Sequence, residues 1–286
     1  MRIAYFGKPA SNTHTAALSY FGAECAMVPF RYHNEIFSAV KSGFDRGILP
    51  IYSSSKGLIA QTADLVFNTP GVWIVGEHIE KIEHLLLGVK GTRPEEVRKV
   101  ITIPDAADQC SIKLQGMKVD VEEAPSTSAA AERVRNEGRR DQAAIANGSA
   151  ATMYGLEVIS PQGSGREWIA NNVLNYTRFL IISKEQLRNP ESNKTTVTFV
   201  LHQGPGELYK ALNSFRRYKI DLLRIDSRPL QDPRKPEDVW KNYFYVDCAI
   251  DPNDGRNMHS ALHMLRSSAA TVRDHGPYVR AKMPRL

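Results

Sequence analysis

Short apolar runs alternate with stretches of helical spacing along the first two thirds of the chain. Arg2–Phe6 reads as a strand, and Ala17 and Phe21 fall on one face of a helix over His14–Phe21. Cys25–Pro29 is a second strand. Ile36, Val40 and Phe44 recur at a spacing of four and predict a helix over Asn34–Ser42. Gly47–Ile51 is a buried strand that runs into a serine loop. Further strands are expected at Val72–Val75, Leu85–Val89, Val100–Ile103, Lys118–Val121 and Arg178–Ser183, with helices over Ala129–Asn136 and Gln142–Tyr154. Such βαβ alternation argues for open α/β sheets. The segment from about Gly76 to Gly165 is bracketed by sequence that reads as one unit. Two lobes are therefore predicted, one from about 1–75 and 166–184 and one from about 76–165, with a ligand held in the cleft between them.

Polar, breaker-rich sequence follows at Lys184–Thr195 and reads as a linker. The pattern then restarts over 195–286. Thr196–Leu201 alternates as a strand, Gly206–Tyr218 carries Leu208, Leu212 and Phe215 at helical spacing, and Ile220–Ile225 and Tyr243–Ile250 are strands. Asn257–Ser267 is a helix and Thr271–Tyr278 a last strand. A βαββαβ order is the ferredoxin-like motif.

Composition changes this picture little. The 286 residues, 42% apolar and 24% charged, are enough for two domains with cores of their own. No apolar run is long enough to span a bilayer and Met1–Phe6 lacks a signal-peptide pattern, so a cytoplasmic location is expected. Cys25, Cys110 and Cys248 are too far apart for a metal cluster and odd in number; they read as free thiols, and no metal or cofactor is expected. The net charge of +6 comes from dispersed basic residues rather than a stripe interleaved with aromatics. That argues against nucleic acid and for a small anionic ligand.

Several short segments could carry chemistry. Asn175-Tyr176-Thr177-Arg178-Phe179 sets a hydroxyl beside a fixed cation at the head of the run Leu180-Ile181-Ile182. Arg178 can pair with a ligand carboxylate or fix the strand internally. Gly7-Lys8-Pro9-Ala10-Ser11-Asn12-Thr13-His14 precedes a helix, so its backbone amides and the Ser11 and Thr13 hydroxyls form an anion cradle or a plain N-cap. Thr127 and Ser128 open a second helix in the same way. In the last module, Gly204-Pro205-Gly206-Glu207-Leu208 places a glycine turn at a helix start, and Asp226-Ser227-Arg228-Pro229 reads as a short polar loop after a strand.

Together these segments resemble the prephenate dehydratase family, a two-lobed catalytic domain of the periplasmic-binding-protein type followed by a ferredoxin-like ACT domain. The resemblance runs through nearly the whole chain. It implies decarboxylating dehydration of prephenate to phenylpyruvate, with Thr177 and Arg178 at the chemistry. Ser11, Thr13, Ser53, Ser54, Thr127, Asn147, Asn175 and Phe179 fall at substrate-binding positions. It also implies phenylalanine feedback through Gly206, Leu208, Asp226, Ser227, Arg228 and Pro229, a homodimer or homotetramer, and no cofactor.

The chain departs from the family pattern at several places. Lys8, Ala10 and Asn12 replace a Pro, a Gly and a Phe. In Pro50-Ile51-Tyr52-Ser53-Ser54-Ser55-Lys56-Gly57, Tyr52 and Ser53 replace Glu and Asn, and Lys56 a frequent acid. Asn147 replaces a Ser, Ile103 a His, and Asp226 a Glu, while Glu207 fills a position that is usually small. These changes keep two other outcomes open: a prephenate decarboxylase that retains the C4 hydroxyl, and an inactive homologue that binds only phenylalanine.

Overall fold

The structure, a computed structural model, describes residues 1–159, 168–187, 189–231, 235–252 and 255–284. The first lobe contains β1 (Arg2–Phe6), α1 (Asn12–Phe21), β2 (Ala26–Phe30), α2 (His33–Lys41), β3 (Arg46–Ser53), β4 (Gly57–Leu58), α3 (Ala60–Asn68) and β5 (Trp73–Lys81). The chain then crosses to the second lobe. That lobe contains β6 (Leu85–Gly88), β7 (Lys99–Thr102), α4 (Pro104–Gln109), α5 (Ser111–Met117), β8 (Asp120–Glu123), α6 (Thr127–Glu137), β9 (Gln142–Ala146), α7 (Gly148–Tyr154) and β10 (Glu157–Val158). It returns to the first lobe as β11 (Tyr176–Ser183).

The first sheet has the order β2-β1-β3-β11-β5, with β4 attached to β3, and β11 runs antiparallel to both neighbours. The second has the order β10-β6-β9-β7-β8, with β6 antiparallel to both neighbours. Each lobe thus carries an antiparallel strand beside a crossing. The two crossing segments touch where the Ile82 amide donates to the Asn175 carbonyl at 2.8 Å. The first crossing lies beyond the predicted boundary near residue 75, because β5 stays paired with β11 up to Lys81. The predicted return at 165/166 lies outside the described residues.

One predicted element is corrected. Gln142–Tyr154 is a strand followed by a helix, not one helix. All five residues of β9 are buried, since it lies between β6 and β7 and both its faces are covered. A strand buried on both faces is uniformly apolar and loses the period-two alternation that distinguishes it from a helix. The break falls at Asn147, whose side chain accepts from the Ala150 amide and caps α7.

Beyond β11 comes β12 (Lys194–Leu201), then α8 (Glu207–Arg217), β13 (Leu222–Pro229), β14 (Asn242–Ala249), α9 (Gly255–Leu265) and β15 (Ala269–Tyr278). They form an antiparallel sheet of order β13-β14-β12-β15, with β13 at an edge. One face packs Val197, Phe199, Val246 and Cys248 under α8 and α9. The other joins the first lobe: Val200, Tyr243, Tyr245 and Tyr278 share a core cluster with Leu49, Phe67 and Leu180. The rings of Phe67 and Tyr243 stack at 4.3 Å. Cys25, Cys110 and Cys248 are free thiols, the last two buried. Among the described residues no helix is long and apolar enough to cross a membrane.

Burial in this sheet gives an acid-sensitive group. His275 is buried, with Nε2 2.8 Å from the Thr198 hydroxyl, and burial pulls its pKa down to about 3. The unfolded chain takes up this proton near the usual value of about 6.5 and the folded one does not. The stability contributed by neutral His275 is therefore complete above pH ~6.5 and is lost on acidification, about 1.4 kcal/mol for each pH unit down to the folded value. Urea unfolding of the wild type is expected to lose stability between pH 6.5 and pH 4.5, by about 2–3 kcal/mol from this group. His275→Gln should flatten that limb.

Candidate active site

A cleft of about 950 Å³ opens between the two lobes. The first lobe contributes the ends of β11 and β3, where Thr177 pairs across the strands with Ser53 and both side chains reach the cleft. Phe6, Phe30, Ile59, Ile82, Ile103 and Phe179 line it with apolar surface. Among the described residues the Thr177 hydroxyl has no hydrogen-bond partner, so a ligand can take it.

The anion-binding capacity comes from two helix starts, one from each lobe. α1 begins after Ser11, whose Oγ accepts from the His14 amide at 3.3 Å, and Asn12 and Thr13 line the cleft. α6 begins after Ser126, whose Oγ accepts from the Ala129 amide at 3.0 Å, and Thr127 lines the cleft. Neither first turn carries an acid, so the positive end of each helix is uncompensated. The turn before α1 is held to α6 by Ser128, whose hydroxyl donates to the Pro9 carbonyl at 2.6 Å, and by Lys8 with Glu132 at 3.2 Å. Ala10, where the family pattern has Gly, keeps the left-handed backbone (φ 60°) that a glycine would supply. Its methyl is buried against the second lobe's core.

The added cation is already spoken for. Lys56 reaches across the cleft to Asp105 at 3.3 Å and Asp108 at 3.4 Å, and these hydrogen bonds raise its pKa. Where the lobes cross, Asn175 donates its amide to Gln109 Oε1 at 2.7 Å, and His84 Nε2 lies 3.0 Å from the same oxygen. Burial lowers the His84 pKa, so it donates as a neutral imidazole. Sequence reasoning missed Gln109, His84, Arg31 and Ser126 as cleft residues. Only Ser126 had a local signal, as a possible cap; the others converge from segments far apart in the chain.

Of the residues singled out from sequence, Ser11, Thr13, Ser53, Thr127, Asn175, Thr177 and Phe179 meet in the cleft. Arg178 does not. Alternation along β11 turns it to the opposite face, where it is buried against Asp247 at 2.5 Å and Glu77 at 3.3 Å. Asn147 is committed to capping α7 and to Asn12 Oδ1 at 2.8 Å. Ser54 sits behind Asn175, its hydroxyl accepting from the Tyr176 amide at 2.9 Å. Tyr52 likewise points away from the cleft, and the Arg224 guanidinium lies over its ring at 3.1 Å. Replacing a Glu there therefore leaves the charge of the cleft wall unchanged.

The expected effector residues fall into separate settings. Gly206 (φ 82°) caps α8 and Leu208 is partly exposed on it. Asp226 and Arg228 share the face of β13 that meets the first lobe, where Arg228 forks onto Asp64 at 3.0 and 3.3 Å. Ser227 and Pro229 alternate to the other side and are exposed.

Comparison with known proteins agrees with this architecture. The chain is 34% identical to "Arogenate dehydratase/prephenate dehydratase 1, chloroplastic" of Arabidopsis thaliana, over 97% of this chain and 72% of that protein. A prephenate dehydratase from Arthrobacter aurescens in complex with L-Phe superposes with a TM-score of 0.85 at 25% identity, covering 100% of this chain and 92% of the other. GqqA, described as a novel type of quorum quenching acylase, superposes with a TM-score of 0.83 at 27% identity, covering 98% of both chains. The prephenate dehydratase family model matches residues 3–187, which span both lobes, and the chain belongs to the prephenate dehydratase family.

Proposed function

We propose that the chain converts prephenate to phenylpyruvate. The observation that carries this reading is the placement of the free Thr177 hydroxyl in a largely apolar cleft, together with two uncompensated helix N-termini for the two carboxylates of the substrate. In the reaction the ring carboxylate leaves as carbon dioxide and its bonding pair completes the aromatic ring. The C4–O bond breaks, and the hydroxide departs as water with one proton taken up. Thr177 donates a hydrogen bond to the departing oxygen, where negative charge grows most. Ser53 stands beside it, and the Asn175–Gln109–His84 chain fixes the strand end from which Thr177 projects.

Prephenate is preferred over arogenate in this reading because Lys56 occupies Asp105, the cleft carboxylate that an amino-acid ammonium would seek. Lys56→Met is expected to shift the ratio of kcat/KM values toward arogenate about fivefold, the size of an exposed ion pair. A ratio that stays at the wild-type value removes Lys56 from specificity.

The C-terminal sheet serves as the site of phenylalanine regulation, with α8 supplying amides at Gly206 for a carboxylate. Edge strand β13 is the side on which two copies pair. The deciding measurement is product identity by mass spectrometry. Phenylpyruvate from prephenate supports the reading, phenylalanine formed faster from arogenate changes the substrate, and a decarboxylated product retaining its hydroxyl overturns dehydration. Cleavage of an acyl amide instead would align the chain with the acylase; the engagement of His84 with Gln109 rather than with a nucleophile argues against that chemistry.

A further inference from the structure

Two neighbouring cross-strand pairs mark the junction of β3 and β11. Thr177 faces Ser53, and Arg178 faces Tyr52. The pleat sends the first pair into the cleft and the second toward the C-terminal sheet. Both members of the second pair are gripped there. Arg178 meets Asp247 of β14 at 2.5 Å, and Tyr52 lies under Arg224 of β13 at 3.1 Å. Arg224 and Asp247 are themselves adjacent, 4.0 Å apart and paired in register across β13 and β14. Immediately beyond Arg178 the pairing of β11 with β3 shifts register. On its other side β11 stays in continuous register with β5 from Tyr176 to Ile181, so the irregularity loosens only the join to β3, the one that sets Ser53 beside Thr177.

From this arrangement we infer that Tyr52, Arg224, Arg178 and Asp247 are positioning residues of the reaction, a clamp by which the C-terminal sheet holds Thr177 and Ser53 in place from behind. The chemistry of the cluster fits positioning better than stabilisation. Buried ion pairs contribute little net stability over apolar packing. Here Arg178 Nε and Nη2 and Arg224 Nε are buried without a hydrogen-bond acceptor among the described residues, Arg224 Nε having only the 4.0 Å approach to Asp247. A junction serving stability alone would satisfy them or dispense with them. β13 also carries Asp226 and Arg228, so a displacement of that strand reaches Tyr52 through a single contact.

The inference rests on the dehydratase reading for its kinetic test and on exchange measurements otherwise. Arg224→Ala and Tyr52→Ala are each expected to lower kcat on prephenate about tenfold while KM stays within about twofold, as for a catalytic group moved by a fraction of an ångström. Tyr52→Phe keeps the ring and should retain wild-type kcat. The double alanine variant should lose no more than either single one, since both remove the same contact. Wild-type kcat in the folded alanine variants, or a loss only in proportion to unfolded protein, overturns the clamp. If the wild type turns over neither prephenate nor arogenate, the dehydratase reading fails separately. Amide hydrogen exchange of peptides spanning 52–54 and 176–179 then decides. Faster exchange in Arg224→Ala upholds the clamp, and unchanged exchange overturns it.

Discussion

Thr177→Val is expected to lower kcat on prephenate by about 10²–10³-fold, the range for removing one preorganised donor from a developing oxyanion. The side chains are nearly isosteric, so the comparison isolates the hydroxyl. The Thr177 hydroxyl has no protein partner among the described residues, so its removal leaves no orphaned group behind. Thermal stability should therefore be unchanged. KM should move little, because the proposed reading assigns the substrate carboxylates to the starts of α1 and α6 rather than to Thr177. Loss of kcat and kcat/KM in equal measure identifies an interaction made in the transition state. A rise in KM with kcat intact would make Thr177 an ordinary binding contact and dehydration would need another donor.

The second large effect is on stability. Asp247 is fully buried and accepts from Arg178 at 2.5 Å and from the Thr196 hydroxyl at 2.8 Å, with Lys194 at 3.3 Å. Burial by itself would raise its pKa, but Arg178 and Lys194 outweigh that and hold the carboxyl below its ordinary range. Asp247→Asn leaves two buried cations facing only Glu77, and breaking such a cluster costs about 3–5 kcal/mol. For a chain of this size that lowers the thermal midpoint by roughly 10 °C. A carboxyl with depressed pKa contributes fully above its unfolded value of about 3.9 and loses its contribution as pH falls below it. The deficit of Asp247→Asn should thus be constant through neutral pH and narrow only in strong acid. Arg178→Met combined with Asp247→Leu removes charge from both sides and should recover most of the loss. Equal stability of Asp247→Asn and wild type in urea at pH 7 would show that the cluster is not closed in solution.

These two experiments separate neighbours that look alike in the sequence. Thr177 and Arg178 are one peptide unit apart, and the family resemblance placed both at the chemistry. The residue types left the role of Arg178 open, because a guanidinium serves a ligand carboxylate and a structural one equally well. Its partners decide the matter, and Asp247 and Glu77 lie 69 and 101 residues away in the chain. Tyr52 is a parallel case. As a replacement for Glu it read as a change in the cleft, yet strand alternation carries it to the other face, onto Arg224.

The sequence by itself determined the class of each unit and most elements of both lobes. Amphipathic and apolar runs have local periods, and caps such as Ser11 and Ser126 act within three residues. Through the family resemblance it also grouped Asn175, Thr177 and Phe179 with the two hydroxyl-bearing helix starts, and these line one cleft. The tertiary structure alone decided which side chains of that segment face the cleft, that β9 is a strand, and that Lys56 is neutralised across the lobes by Asp105 and Asp108. Local sequence fixes the pleat and the helical turn. Which face of a strand meets a cleft, and which charge finds a counter-charge, depends on register and packing between segments that only the folded chain brings together.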